Sequence, residues 1–352
     1  MKRYFTLAII ATSLFWSSCE KETTNSASKI EILENWTVTK RIHNLTINHR
    51  DLFFVNSSTG FIVGYNGEIY KTSNAGQIWQ KQNSGTTLHL FSVNFIDPNI
   101  GFASGDAMHG CLDDDCDKGA VLLKTINGGR TWVKSFFSQY ESIKSLHFFD
   151  EMNGLAIIRT PYQMGARSFH MGRTTDGGKS WTLMNLDVKN YDDKFYTTGE
   201  LVFVPGENQE LYRSDDMGVT WKTVVKPHIP WSYVRSMHFY GNLLGFMDGG
   251  SSFYKTEDGG LHWEITSMPL NTLDMFHCAN DMEWIAIERT YDTSNGGLLE
   301  FIGSTGAQTV DEGSHWAHSK LFSDISIVRY HFPEDYIGYG LNNTEFYTIR
   351  KK

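Results

Sequence analysis

Residues 174–181 read Thr-Thr-Asp-Gly-Gly-Lys-Ser-Trp (TTDGGKSW), and five other stretches obey the same rule. A hydroxyl residue is followed by Asp or Asn two positions on, Gly four on and Trp seven on. The others are TSNAGQIW (Thr72–Trp79), TINGGRTW (Thr125–Trp132), SDDMGVTW (Ser214–Trp221), TEDGGLHW (Thr256–Trp263) and TVDEGSHW (Thr309–Trp316). Their shared glycines, Gly76, Gly129, Gly178, Gly218, Gly260 and Gly313, recur every 40 to 53 residues. Asn74, Asn127, Asp176, Asp216, Asp258 and Asp311 suit a turn, because their side chains accept backbone hydrogen bonds. Gly takes the positive φ such a turn needs. Trp79, Trp132, Trp181, Trp221, Trp263 and Trp316 then start a strand with a ring to bury.

Outward from each box the pattern is β. Short apolar runs precede it (EIYKT, VLLKT, ELYRS, SFYKT) and follow it (WVKSFF, WKTVV). Further upstream a second phrase recurs, an apolar strand, a turn, then a Gly-led apolar strand: SVNFIDPNIGFASG, SLHFFDEMNGLAII, SMHFYGNLLGFMDG. A unit of four strands in 40 to 50 residues is the size of a propeller blade. Units begin near residues 51, 90, 142, 193, 231, 273 and 325. The last stops after three strands, and Asn35–Lys40 reads as the missing fourth. The expected fold is all-β: a seven-bladed β-propeller of four-stranded antiparallel blades over residues 33–352, its ring closed by pairing the N- and C-terminal strands so that no edge is left open.

The start of the chain reads differently. Met1-Lys2-Arg3 is followed by an apolar core, Tyr4–Trp16, too short to span a bilayer, then by Ser17-Ser18-Cys19. This resembles the lipobox of bacterial lipoproteins, and Glu20-Lys21-Glu22 resembles the acidic export signal of surface lipoproteins. The resemblance implies a signal peptide over 1–18, lipidation of Cys19 and a small polar tether over 19–32. The protein is then exported and held in the cell envelope at the outer membrane through the lipid alone. The net charge of −9 becomes −11 once Lys2 and Arg3 are lost, and an acidic chain with pI near 5.8 argues against a nucleic-acid partner.

The boxes resemble the Asp-boxes (BNR repeats) of sialidases and sortilin-type receptors. The longer phrase is similar to the photosystem II assembly-factor-like family, over about residues 36–352. That resemblance implies a binding or assembly module; the expected partner is an envelope protein or glycan, and the expected state a monomer. Two boxes carry Asn where a catalytic carboxylate would be required, so the boxes read as structural turns and no catalytic residue is assigned. The alternative is a glycoside hydrolase or sialidase-like propeller, or a carbohydrate-binding one. Ile158-Arg159-Thr160-Pro161 only partly matches the sialidase Arg-Ile-Pro motif.

Strand order places the boxes on one face and the inserted loops (106–119, 160–168, 290–297) with the blade-to-blade connections on the other. Function is expected on that second face. Its candidates are Asp106, His109, Arg159, Tyr162, Arg167, Tyr191, Trp231, Tyr233, Arg235, Arg289, Tyr291 and Asp292, types that anchor interfaces. In an exported chain Cys111 and Cys116 read as a loop disulfide and Cys278 as a buried thiol. Asp113, Asp115 and Asp117 alternate like the first ligands of a calcium loop, but no bidentate Glu follows at the needed spacing. A solvated acidic loop with no metal or other cofactor is the expectation.

Overall fold

The computed structural model describes residues 28–31, 35–42, 45, 49–106, 119–163, 166–186, 194–206, 210–224, 234–250, 252–268, 270, 273–292, 300–319, 325–342 and 344–352. The signal peptide, Cys19, most of the tether and the Cys111–Cys116 loop lie outside these residues. Apart from one 3-10 turn at Tyr65–Gly67, the regular elements are strands. They assemble as a β-propeller of four-stranded antiparallel blades.

Unit A comprises His49–Phe54, Gly60–Gly64, Ile69–Thr72 and Gln80–Gln82, paired in chain order. Unit B runs from His89–Phe95 to Val133–Phe137 and unit C from Ser142–Phe148 to Thr182–Leu183. Units D (Tyr196–Thr198 to Lys222–Thr223), E (Ser236–Tyr240 to Glu264–Thr266) and F (Met275–Cys278 to Ala317–His318) repeat the meander. The terminal sheet orders Arg329–Glu334, Ile337–Leu341, Glu345–Lys351, Trp36–Ile42 and Ser28–Glu31. Hydrogen bonding thus differs from seven separate four-stranded sheets. Units B and C form one eight-stranded sheet through the Ser142–Asp106 pair, because the first strand of C reaches the second strand of B. The terminal sheet has five strands, because Ser28–Glu31, read as tether, pairs with Trp36–Ile42. Trp36–Ile42 in turn pairs antiparallel with Glu345–Lys351 over seven residues. Two expected insertions begin as strand: the second strand of unit C continues to Gln163, and that of unit F to Asp292.

The core lies between units. Phe61 and Val63 of A pack with Leu90 and Val93 of B, Phe102 of B with Phe148 of C, and Leu155 of C with Val202 of D. Phe203 of D meets Met247 of E, Phe246 of E meets Phe276 of F, and Met275 of F meets Tyr347 of the terminal sheet. Phe346 of that sheet packs with Phe54 of A.

The six boxes share one hydrogen-bonded turn. In unit C, Thr174 Oγ1 donates to Asp176 Oδ1 (2.8 Å) and accepts from the Gly178 N–H (2.9 Å), while Asp176 Oδ1 accepts from the Ser180 N–H (3.0 Å). Asn127 does the same with Thr125 and Thr131. Each box glycine has φ between 77° and 85°. At Gly178 a Cβ would stand 2.2 Å from Leu122 of the preceding unit, and at Gly76 2.1 Å from Phe346. The box therefore seats one unit on its neighbour, and only a bare Cα fits.

A second repeated pair tunes the inner strands. A Phe at the end of the first strand covers a Gly opening the second: Phe54/Gly60, Phe95/Gly101, Phe148/Gly154, Phe239/Gly245 and Phe332/Gly338, with a Cβ on each Gly 2.4–2.8 Å from the ring. Units D and F exchange the sizes, pairing Thr198 with Leu201 and Cys278 with Trp284. Cys278 is thus small because Trp284 fills its space, and burial pushes its thiol pKa up.

Two stability outcomes follow from these contacts. Gly178→Ala meets both the positive φ and Leu122, and should cost on the order of 3 kcal/mol in urea unfolding. Thr198→Phe alone should destabilise unit D, whereas Thr198→Phe with Leu201→Gly should recover part of the loss. The double-mutant cycle should show a coupling of roughly 1–3 kcal/mol.

Candidate functional site

The first strands line the middle of the molecule, and one position in them recurs: Phe53, Asn94, His147, Thr197, His238, His277 and His331. The four imidazoles reach from one unit to another. His147 Nδ1 lies 3.5 Å from Thr197 Oγ1, His277 Nε2 lies 2.7 Å from the Asp335 carbonyl, and His331 Nδ1 accepts from the Phe54 N–H at 3.3 Å. His238 Nε2 is 2.6 Å from Tyr330 Oη. Burial lowers the pKa of His147, His277 and His331 to about 4 and of His238 to about 3, with His277 adding like-charge repulsion on His238 and His331. A cavity of about 610 Å³ runs beside this layer.

Three residues earlier in the strands stand Arg50, Phe91, Lys144, Lys194, Arg235, Asp274 and Val328. Here a wider cavity of about 710 Å³ opens on the face away from the boxes, where the first strands begin. Six cations line it: Arg50, Lys144, Lys194, Arg235, Arg289 and Arg329. The carboxylates among its lining residues are Asp51 and Asp274. Burial raises the Asp51 pKa against the lowering effect of hydrogen bonds from the Val93 and Leu52 N–H groups, each 2.9 Å. Asp274 accepts from Arg289 Nε (2.7 Å) and from its N–H (2.5 Å). Lys144 lies 3.6 Å from the Phe91 ring centroid and Arg50 lies 4.4 Å from that of Tyr65, so aromatic faces hold the cations at the mouth.

Of the expected site residues, Arg235 and Arg289 line this cavity. Asp106 and Arg159 sit behind it, buried, and pair with the half-buried Glu141 and Lys144: Arg159 is 2.6 Å from Glu141 and 3.7 Å from Asp106, and Lys144 is 3.3 Å from Asp106. They position Lys144 instead of facing solvent. His109, Cys111, Asp113, Asp115, Cys116, Asp117, Tyr191, Trp231 and Tyr233 lie outside the described residues, as do the side chains of Tyr162, Arg167, Tyr291 and Asp292. Arg50, Lys144, Lys194 and Arg329 were not among the sequence candidates. For Arg50, Lys144 and Lys194 the signal was the fixed offset from the Phe/Asn/His position, visible once the first strands are aligned as RDLFF, KSLHF, KFYTT and RSMHF; Arg329 stands one residue off that register, after Val328.

The box carboxylates have no spare chemistry. At Asp176 burial acts to raise the pKa, but hydrogen bonds from Ser180 and Thr174 prevail and hold it at about 2. It stays ionised and occupied at neutral pH, unsuited to proton transfer.

No family model matches the chain, and no curated protein matches it in sequence. Solved structures share the fold. "YCF48 bound to D1 peptide" is 15% identical, with TM-score 0.63 over 93% of this chain and 100% of that one. YCF48 from Cyanidioschyzon merolae is 11% identical, with TM-score 0.62 over 90% and 99%. The GH74 xyloglucanase from Xanthomonas campestris is 12% identical, with TM-score 0.57 over 90% of this chain but 52% of its own.

The histidine layer makes stability depend on pH. Each imidazole titrates lower when folded than its free value of 6.5, so the unfolded chain binds more protons between pH 6.5 and about 4. The stabilisation is whole above 6.5 and is lost as pH falls through about 4. Asp51, with its raised pKa, contributes with the opposite sign. The thermal midpoint should fall steeply from pH 6.5 to 4, and His331→Asn, the residue type unit B carries at this position, should flatten the slope.

Proposed function

We propose that this chain is a non-catalytic binding scaffold, and that an acidic segment of a partner protein seats over the 710 Å³ cavity. The observation that carries this reading is the convergence of six cations, from units A, C, E and F, the terminal sheet and the segment before D, in a chain of net charge −9. Fixed positive charge in a concave mouth attracts and orients an anionic segment while repelling a cationic one. A neighbour of like fold is described as bound to a peptide, which agrees with a propeller used to hold a segment of another protein.

The architecture belongs to the proposal too. We read the units as a closed ring of seven blades and the boxes as Asp-boxes. Support comes from the Trp36–Ile42 pairing with Glu345–Lys351 and from apolar packing of the terminal sheet on both F and A. Residues 1–18 are removed, Cys19 is lipidated, and the domain works as a monomer in the envelope, at the outer membrane. The tether leads into Ser28–Glu31, at the edge of the terminal sheet.

The test uses fluorescein-labelled ten-residue peptides alternating Gly with Glu, or Gly with Gln. The Glu peptide should bind, and should weaken by about tenfold or more between 50 and 300 mM salt. Lys194→Ala with Arg235→Ala should weaken it by at least another tenfold. Equal binding of the Gln peptide, or indifference to both salt and the double substitution, would sink the reading.

A further inference from the structure

Two departures from the repeat converge on one groove at the rim, remote from the central cavity. The first concerns the box tryptophans. Trp79, Trp132, Trp181 and Trp263 each stand edge-on to the first-strand Phe of their own unit, at 6.0–6.1 Å. Unit D has Thr198 in place of that Phe; Trp221, half-buried like Trp79, instead donates its Nε1 to the Gly218 carbonyl and to Met184 Sδ.

The second concerns the residue before the box, Lys or Arg in five of the six boxes. It clasps the next unit: Lys71 Nζ donates to the Gly128 carbonyl (2.7 Å), Lys124 Nζ to that of Glu151 (3.3 Å), and Arg213 Nε to that of Gly259 (2.8 Å). Lys255 pairs with Glu312 at 3.7 Å. Arg173 is the exception. Its one side-chain hydrogen bond among the described residues stays within unit C, a long 3.5 Å contact to Asn153 Oδ1. A groove of about 550 Å³ lies where its clasp on unit D would be, lined by Arg173, Trp221, Val219, Met184 and Thr182.

We infer that this groove binds an extended peptide by strand addition to the outer edge of unit C. Thr182–Leu183 ends the sheet order, so among the described residues no strand lies beyond it. The terminal sheet carries such an addition already, Ser28–Glu31 on the outside of Trp36–Ile42. Alternate side chains of an added strand point to one face. A large apolar residue would therefore rest on Trp221, Met184 and Val219, and an acidic residue two positions away would meet the Arg173 guanidinium. A peptide is favoured over a saccharide because the site joins a backbone-pairing edge to an apolar shelf with one cation.

The test is selection of a displayed library of random eight-residue peptides on the full chain. Enriched sequences should carry Asp or Glu two positions from Phe, Leu, Ile or Trp. Arg173→Gln should weaken them at least tenfold, as should Val219→Glu, which places a like charge at a residue 57% exposed. Trp221→Phe should weaken them less. Lys194→Ala with Arg235→Ala should leave them unchanged, which separates this site from the central cavity. Hydrogen exchange at Thr182–Met184 should slow when peptide binds. Failure to enrich, loss only with the cavity substitutions, unchanged exchange, or binding of oligogalacturonate at the groove in place of any peptide would each overturn the inference.

Discussion

A glycine with no room for a side chain holds five of the six boxes to the unit beside them. In units A to E the box glycine lies against a residue of the preceding unit, from Phe346 under Gly76 to Phe203 under Gly260. The hydroxyl of Thr or Ser and the oxygen of Asp or Asn shape the turn, and the turn presents that glycine. Hydrogen bonds within the box therefore act through packing between units. An Asn can replace the Asp because the acceptor oxygen, not the charge, directs the turn.

The inner strands are built on complementary volumes. Where the first strand ends in Phe, the second begins with Gly; where it ends in Thr198 or Cys278, the second begins with Leu201 or Trp284. Close packing tolerates the exchange because each pair still sets one large side chain against one small one. Its consequences reach the rim: Thr198 deprives Trp221 of the Phe ring against which Trp79, Trp132, Trp181 and Trp263 stand. The groove lined by Trp221 lies one layer away from this change of size.

Cations and histidines share the first strands but have different tasks. The imidazoles are half-buried and neutral, and reach other units: His147 to D, His277 and His238 to the terminal sheet, and His331 to A. The Lys and Arg side chains three residues earlier reach the wider cavity, where aromatic faces and the buried Asp106–Arg159 network set their positions. Placing positive charge in a concave mouth, inside an acidic molecule, concentrates an attractive field at one point of the surface.

Much of this was legible in the residues alone. The box rule, with its turn chemistry, identified all-β units of four strands, and Asn35–Lys40 was readable as the partner of the last strand. These features are local or periodic, and local chemistry repeats visibly. Arg235 and Arg289 were found as interface-anchoring types placed, by strand order, on the face opposite the boxes. Joining B and C into one sheet depended on a single contact between Ser142 and Asp106, residues 36 apart. Burial of Asp106 and Arg159, the ring of cations and the idle Arg173 likewise depend on which strands become neighbours in space. Charge and burial at those positions are properties of the assembled interior, and they exist only once the units pack against one another.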